Sequence, residues 1–137
     1  MCVSEHWKTI DQLSAYNLVG YSLASAFCRQ NGYGGTAIFL RNGIEYVHRS
    51  DITIFGDEEC FECSAVELSF YKKKVIIICI YRTSTKPVHD FLVKLESVLN
   101  ILLNEQCTCF IAGDFNLDIM NVKDSNAKYF SELLQFL

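Results

Sequence analysis

The chain has 137 residues, half of them hydrophobic and 20% charged, with one proline and seven glycines. That length suits a single domain with a real core, and an aromatic content of 13% excludes intrinsic disorder. Sixteen acids against twelve bases give a net charge of −4, which excludes nucleic-acid binding driven by charge excess alone. Apolar spacing predicts a helical turn around Thr9–Leu13 and a strand over Leu18–Leu23. Thr36–Leu40 is β-branched and aromatic, and the Asn42-Gly43 pair after it is a strong hairpin signal. Ile44–Phe55 alternates in part and reads as the hairpin's second, half-buried strand. A second hairpin joins Cys63–Phe70 to Lys74–Tyr81 around Tyr71-Lys72-Lys73, and its apolar second arm reads as covered on both faces.

Helices come later. Val88, Phe91, Leu92, Leu95, Val98, Leu99, Leu102 and Leu103 recur at spacings of three and four, which places them on one helical face. Pro87 suits the first turn of that helix. Cys107–Ala112 reads as a short buried strand. A last helix follows Asp124 or Ser125 as N-cap, with Phe130, Leu133, Leu134 and Leu137 on one face. Antiparallel hairpins followed by helix, strand, loop and helix imply an α/β or α+β domain, a mixed sheet covered by helices.

The start of the chain lacks the basic flank and apolar stretch of a signal peptide. Val75–Tyr81, the longest apolar run, falls far below the roughly 18 residues of a membrane helix. A soluble, intracellular protein without membrane contact is expected. Seven cysteines, several inside apolar segments, read as reduced and buried thiols. Cys60-x-x-Cys63 and Cys107-Thr108-Cys109 lie in strand-like sequence, so zinc is not expected.

Three stretches carry candidate chemistry. In Phe110-Ile111-Ala112-Gly113-Asp114-Phe115-Asn116 an apolar strand ends at a glycine. An extended backbone there would point Asp114 and Asn116 to one side and Phe115 to the other. A carboxylate can orient and deprotonate water, and an amide can donate to a phosphate oxygen. An Asx-turn is the bland alternative. In Ser4-Glu5-His6-Trp7, Glu5 is either a hard oxygen ligand for a divalent cation or a solvated glutamate at a helix start. Tyr81-Arg82 ends the most apolar strand. Its phenol and guanidinium can bind a phosphate, or Tyr81 simply caps the core with its hydroxyl in water. Gly32-Tyr33-Gly34-Gly35 fails the spacing and context of a nucleotide cradle, and Lys72–Lys74 reads as a solvated hairpin tip. His48 and His89 lack the serine or cysteine pattern that marks a nucleophile.

The order of these pieces is more informative than any one of them. Glu-His-Trp after a short strand, Gly-Gly-Thr-Ala-Ile-Phe, a Val-Glu-Leu strand, an apolar strand ending in Tyr-Arg, and Gly-Asp-Phe-Asn form a series. From Val3 to the C-terminus it resembles the endonuclease/exonuclease/phosphatase family, most closely the endonuclease domain of non-LTR retrotransposons. The resemblance implies a two-sheet β-sandwich flanked by helices and magnesium-dependent hydrolysis of DNA phosphodiesters, with a reverse transcriptase in the same polyprotein. It implies Glu5 as metal ligand, Tyr81 on the scissile phosphate, Asp114 activating water and Asn116 steadying phosphate oxygens. Arg82 is a weaker phosphate-binding candidate. The family's opening strand with a metal-linked asparagine and its closing Ser-Asp-His-type motif have no counterpart in residues 1–137. The reading is therefore a partial domain, truncated at both ends, with Thr83 where the family has proline. Such a fragment is expected to be weakly active at best. A phosphatase acting on lipid or small phosphoesters and a catalytically dead binding or structural module are the other readings.

Overall fold

The computed structural model describes residues 1–71, 73–105, 107–121 and 123–135. Lys72 of the second hairpin tip and Leu137 of the last helix lie outside the described residues. In chain order the elements are β1 (Cys2–Ser4), α1 (Ile10–Ser14), β2 (Tyr21–Phe27), β3 (Thr36–Arg41), β4 (Tyr46–His48) and α2 (Ser50–Thr53). They continue with β5 (Glu62–Phe70), β6 (Lys73–Tyr81), α3 (Val88–Leu103), β7 (Cys107–Asp114) and α4 (Ser125–Leu134). The strands form two sheets, an antiparallel β1-β3-β2 and a mixed β4-β5-β6-β7. Among the described residues only β6 and β7 pair in parallel, and α3 supplies the crossover that parallel neighbours require. No helix among the described residues is long and apolar enough to cross a membrane.

Strand alternation builds the layers. On β6, Ile76, Ile78 and Ile80 join Phe91, Leu92, Leu95, Val98, Leu99 and Leu102 of α3 and Phe130 and Leu133 of α4 in the largest core. The opposite face of the same strand presents Cys79, which packs with Val66, Ile38 and Leu40 between the two sheets. On β3, Ala37 and Phe39 turn outward to meet Leu13 of α1. The expected two-sided burial of β6 is therefore present, and seven of the eight apolar positions expected on one face of α3 pack into the core, whereas Leu103 in its last turn is 51% exposed. Cys60 and Cys63 belong to the core beneath α3, and Cys107 and Cys109 pack against it.

Four expectations are corrected. Asn42-Gly43 closes no hairpin, because both edges of β3 are already taken by β1 and β2. The turn instead passes the chain to the other sheet, where β4 pairs with β5. Ile44–Phe55 is not one strand but β4 followed by α2, with Ile52 fully buried and Ile54 78% exposed. The strand expected over Leu18–Leu23 begins only at Tyr21, after Gly20 at φ +81°, and runs on through polar Ser22 and Ser25. Those serines break the apolar period, and Ser25 is buried where its hydroxyl accepts the N–H of Ala65. Lastly, β7 is not buried: it ends the sheet, and Phe110 is 58% exposed. Pro87 sits one residue earlier than expected, at the N-cap of α3, while Asp124 caps α4 as one of the two proposed residues.

Candidate active site

Register places six strand ends together. Ser4, Thr36 and Phe27 line up across the small sheet, and Glu62, Tyr81 and Asp114 line up across the large one. A short contact between Thr36 Oγ1 and Ser64 Oγ, 2.7 Å, joins the two rows.

Glu5 follows β1 directly, and its left-handed backbone (φ +56°) turns the chain out of the sheet. Its N–H donates to Gly35 O (2.7 Å), and the Trp7 N–H donates to Gly34 O (2.9 Å). Gly35 itself has φ +90°, and a Cβ there would enter the His6 ring. Beneath this turn lies Glu62, wholly buried, which accepts from Gly35 N–H, from Glu59 N–H (2.9 Å) and from Arg29 Nε (2.6 Å). A buried carboxylate is tolerated only when paired and hydrogen-bonded in this way. Arg29 in turn stands 5.9 Å from the Tyr81 ring centroid.

Tyr81 ends β6 with 6% exposure, and its hydroxyl donates to Glu5 Oε1 over 3.1 Å. Burial, reinforced by that carboxylate, pushes the phenol up to about 12. Tyr81 is thus a neutral donor at physiological pH. Asp114 is its register neighbour on β7 and is exposed. Gly113 makes this approach possible, since its φ is +142° and any Cβ would collide with the Ile80 carbonyl.

After Asp114 the backbone leaves the extended region, with Asn116 at φ +45°. Asp114 Oδ1 accepts the Asn116 N–H (2.9 Å), the hydrogen bond of an Asx-turn. Phe115 points inward, 5.1 Å from Phe130 and 6.0 Å from Phe91. Asn116 Nδ2 donates to Arg82 O (2.7 Å), which orients the amide.

Arg82 departs from its expected role. It is 2% exposed, and its guanidinium donates to the carbonyls of Phe115 (2.8 Å), Lys86 (2.8 Å) and Asn116. It holds the Asp114–Asn116 loop in place of a phosphate. His6 and His48 are engaged with other partners. His6 contacts Phe27 O through Nε2 (3.1 Å) and accepts the Lys8 N–H at Nδ1 (3.0 Å), which sets a neutral tautomer, and burial lowers its pKa. His48 Nε2 lies 3.1 Å from Ser25 Oγ, a pairing invisible in the sequence. That serine is 4% exposed and already accepts the Ala65 N–H, so the pair joins β2 to β4 and β5.

Glu5, Tyr81, Asp114 and Asn116 therefore occupy one end of the sandwich. Sequence reasoning missed Arg29 and Glu62, whose partners are 33 residues apart and leave no local signature. The two-sheet fold is that of a known family. The profile of the Endonuclease/Exonuclease/phosphatase family matches residues 1–122, and the chain belongs to that family. Among solved structures it is similar to the endonuclease domain of TRAS1, a telomere-specific non-LTR retrotransposon, with a TM-score of 0.64 at 11% identity. The match covers 86% of this chain and 52% of that one, so the chain spans about half of the solved domain. No curated protein matches the sequence.

Proposed function

We propose that this chain is part of a divalent-metal-dependent phosphodiesterase, a DNA endonuclease of the retrotransposon type. The observation that carries the reading is the Tyr81–Glu5 hydrogen bond (3.1 Å) one strand away from Asp114. The donor set suits magnesium: Glu5 is an exposed hard carboxylate with Oε1 on Tyr81 and Oε2 available to an ion. Among the described residues no three His, Cys, Asp or Glu side chains gather as a ready metal cluster. Glu5 would thus share the ion with substrate oxygens and water, as magnesium sites commonly do. When bound, the ion supplies neutralisation of charge on the phosphate and the leaving oxygen.

The remaining roles belong to the side chains. Asp114 accepts a proton from water as that water attacks phosphorus, and the bond to the leaving oxygen breaks, its proton coming from solvent. Asn116, fixed by Arg82 O, donates its remaining amide N–H to a non-bridging oxygen. Tyr81 has a single proton, which it donates to Glu5, so its contact with a phosphate requires that bond to be exchanged. Arg82 and Gly113 position Asp114 and Asn116.

The test is nicking of supercoiled plasmid with magnesium, with Glu5→Gln and Asp114→Asn as controls. Nicking lost in both variants is expected. Hydrolysis of a small phosphomonoester with no action on plasmid would shift the reading to a phosphatase, and no hydrolysis of either would leave a binding module.

A further inference from the structure

Two aromatic rings that the proposed chemistry does not use stand beside Glu5. Trp7, the only tryptophan of the chain, follows Glu5 by two residues, and Tyr33 precedes the Gly34-Gly35 turn. The carbonyls of that turn hold the amides of both Glu5 and Trp7. The two rings meet edge to face, with centroids 5.7 Å apart at 73°. Trp7 is 55% exposed and Tyr33 59% exposed. Rings this open contribute little burial to the fold. The backbone beneath the indole is nevertheless tied, because the Trp7 N–H donates to Gly34 O and Trp7 holds φ +56°, a conformation a bulky residue seldom adopts.

We propose that Trp7 and Tyr33 form a stacking platform for a nucleobase of the DNA strand next to the scissile phosphate. The inference rests on the nuclease reading and deepens it by naming what selects the substrate. An edge-to-face pair leaves ring surface open, and every base offers a flat π-face to it, so the platform takes DNA without a sequence preference. A sugar phosphate or an alkyl phosphoester has no such face. With a net charge of −4 the chain cannot draw a polyanion by its overall field, and stacking supplies attraction that a basic surface otherwise would.

The lone tryptophan makes the test direct. Intrinsic fluorescence of the chain is followed at low salt in EDTA during titration with two strands. One is a short single-stranded oligodeoxynucleotide; the other has the same length and phosphate count but only abasic sites. Anisotropy of the labelled strands gives the affinities. The base-bearing strand should quench Trp7 and bind about tenfold or more tightly than the abasic strand. Tyr33→Leu, a change at an exposed side chain, should close most of that gap without altering abasic binding. Equal quenching by both strands, no quenching by either, or a gap undiminished in Tyr33→Leu would overturn the platform. A chain that nicks plasmid with magnesium but shows no base-dependent quenching loses the platform alone. A chain quenched by bases that never nicks keeps the platform and loses the catalytic reading.

Discussion

At the scale of single residues, Asp114 and Tyr81 divide the proposed work by their surroundings. Asp114 is exposed, and its Oδ1 accepts a backbone N–H that an asparagine oxygen can equally accept. Asp114→Asn should therefore keep the fold and its thermal midpoint while lowering nicking by about 10²–10⁴-fold, the usual worth of a general base. Plasmid nicking alongside circular dichroism checks both halves. Tyr81 predicts a pH effect of defined sign. Its folded pKa, about 12, lies above the ordinary 10.0, so its contribution to stability is complete below about 10 and falls as pH climbs towards 12. Urea unfolding midpoints across that alkaline range should decline less steeply in Tyr81→Phe than in the unaltered chain. The thiols separate in the same manner. Cys63 is 1% exposed and burial pushes it up to about 12, whereas a hydrogen bond with the Cys79 thiol lowers half-buried Cys2 to about 7. At neutral pH iodoacetamide should label Cys2 early and Cys63 last, read by peptide mass spectrometry. Early labelling of Cys63 would mean that the core beneath α3 opens readily.

At the scale of elements, strand ends and the turns after them create the site. Gly113 lets β7 run against β6 at Ile80, and only then does Asp114 fall beside Tyr81. Gly113→Ala should cost about 3 kcal/mol, from steric overlap and an unfavourable φ together, visible as a lower unfolding midpoint. The opposite end of the large sheet is joined by charge. Arg49, just before α2, pairs with Asp51 (2.7 Å), Glu67 (3.1 Å) and Glu105, and Lys74 of β6 reaches Glu105 (2.6 Å). Lys74 and Arg49 hold the Glu105 carboxyl below its usual range, and Arg49 does the same for Asp51. Depressed carboxylates stabilise above their unfolded pKa and lose that contribution as pH falls through the folded value. Arg49→Met should therefore be less stable by about 2 kcal/mol at neutral pH. Its stability should also fall less steeply with acid, because the carboxylates no longer have that pairing to lose. Urea unfolding at neutral and acidic pH reads both effects, and parallel pH profiles in the two chains would show that the network contributes nothing. None of this end was legible beforehand. Partners 18 and 56 residues from Arg49 become neighbours only after the strands pair.

At the scale of the whole molecule, the layers run α1, small sheet, large sheet, then α3 and α4, with a separate apolar cluster at each of the three contacts. Within the described residues β7 ends its sheet, eight residues long and with Phe110 standing 58% in solvent. A long edge of this kind invites pairing with another chain. Phe110→Lys should reduce aggregation at high concentration, measured by light scattering, with little change in the unfolding midpoint because the side chain is exposed.

The sequence alone determined whatever depends on neighbours along the chain. The 3.6-residue period specified α3, the unbroken apolar run specified a β6 covered on both faces, and the cap signal at Asp124 or Ser125 located the start of α4 to within one residue. The ordered series around Glu5, Tyr81 and Gly113–Asn116 was enough to indicate the family. Tertiary structure decided which edges remained for pairing: with β3 already flanked on both sides, the Asn42-Gly43 turn had to pass the chain to the other sheet. It also decided what Arg82 does, since burial against three carbonyls depends on where β7 and its loop come to rest. The Arg29–Glu62 pair under the Glu5 turn followed the same rule. A buried charge is stable only beside its counter-charge, and that neighbour is supplied by folding.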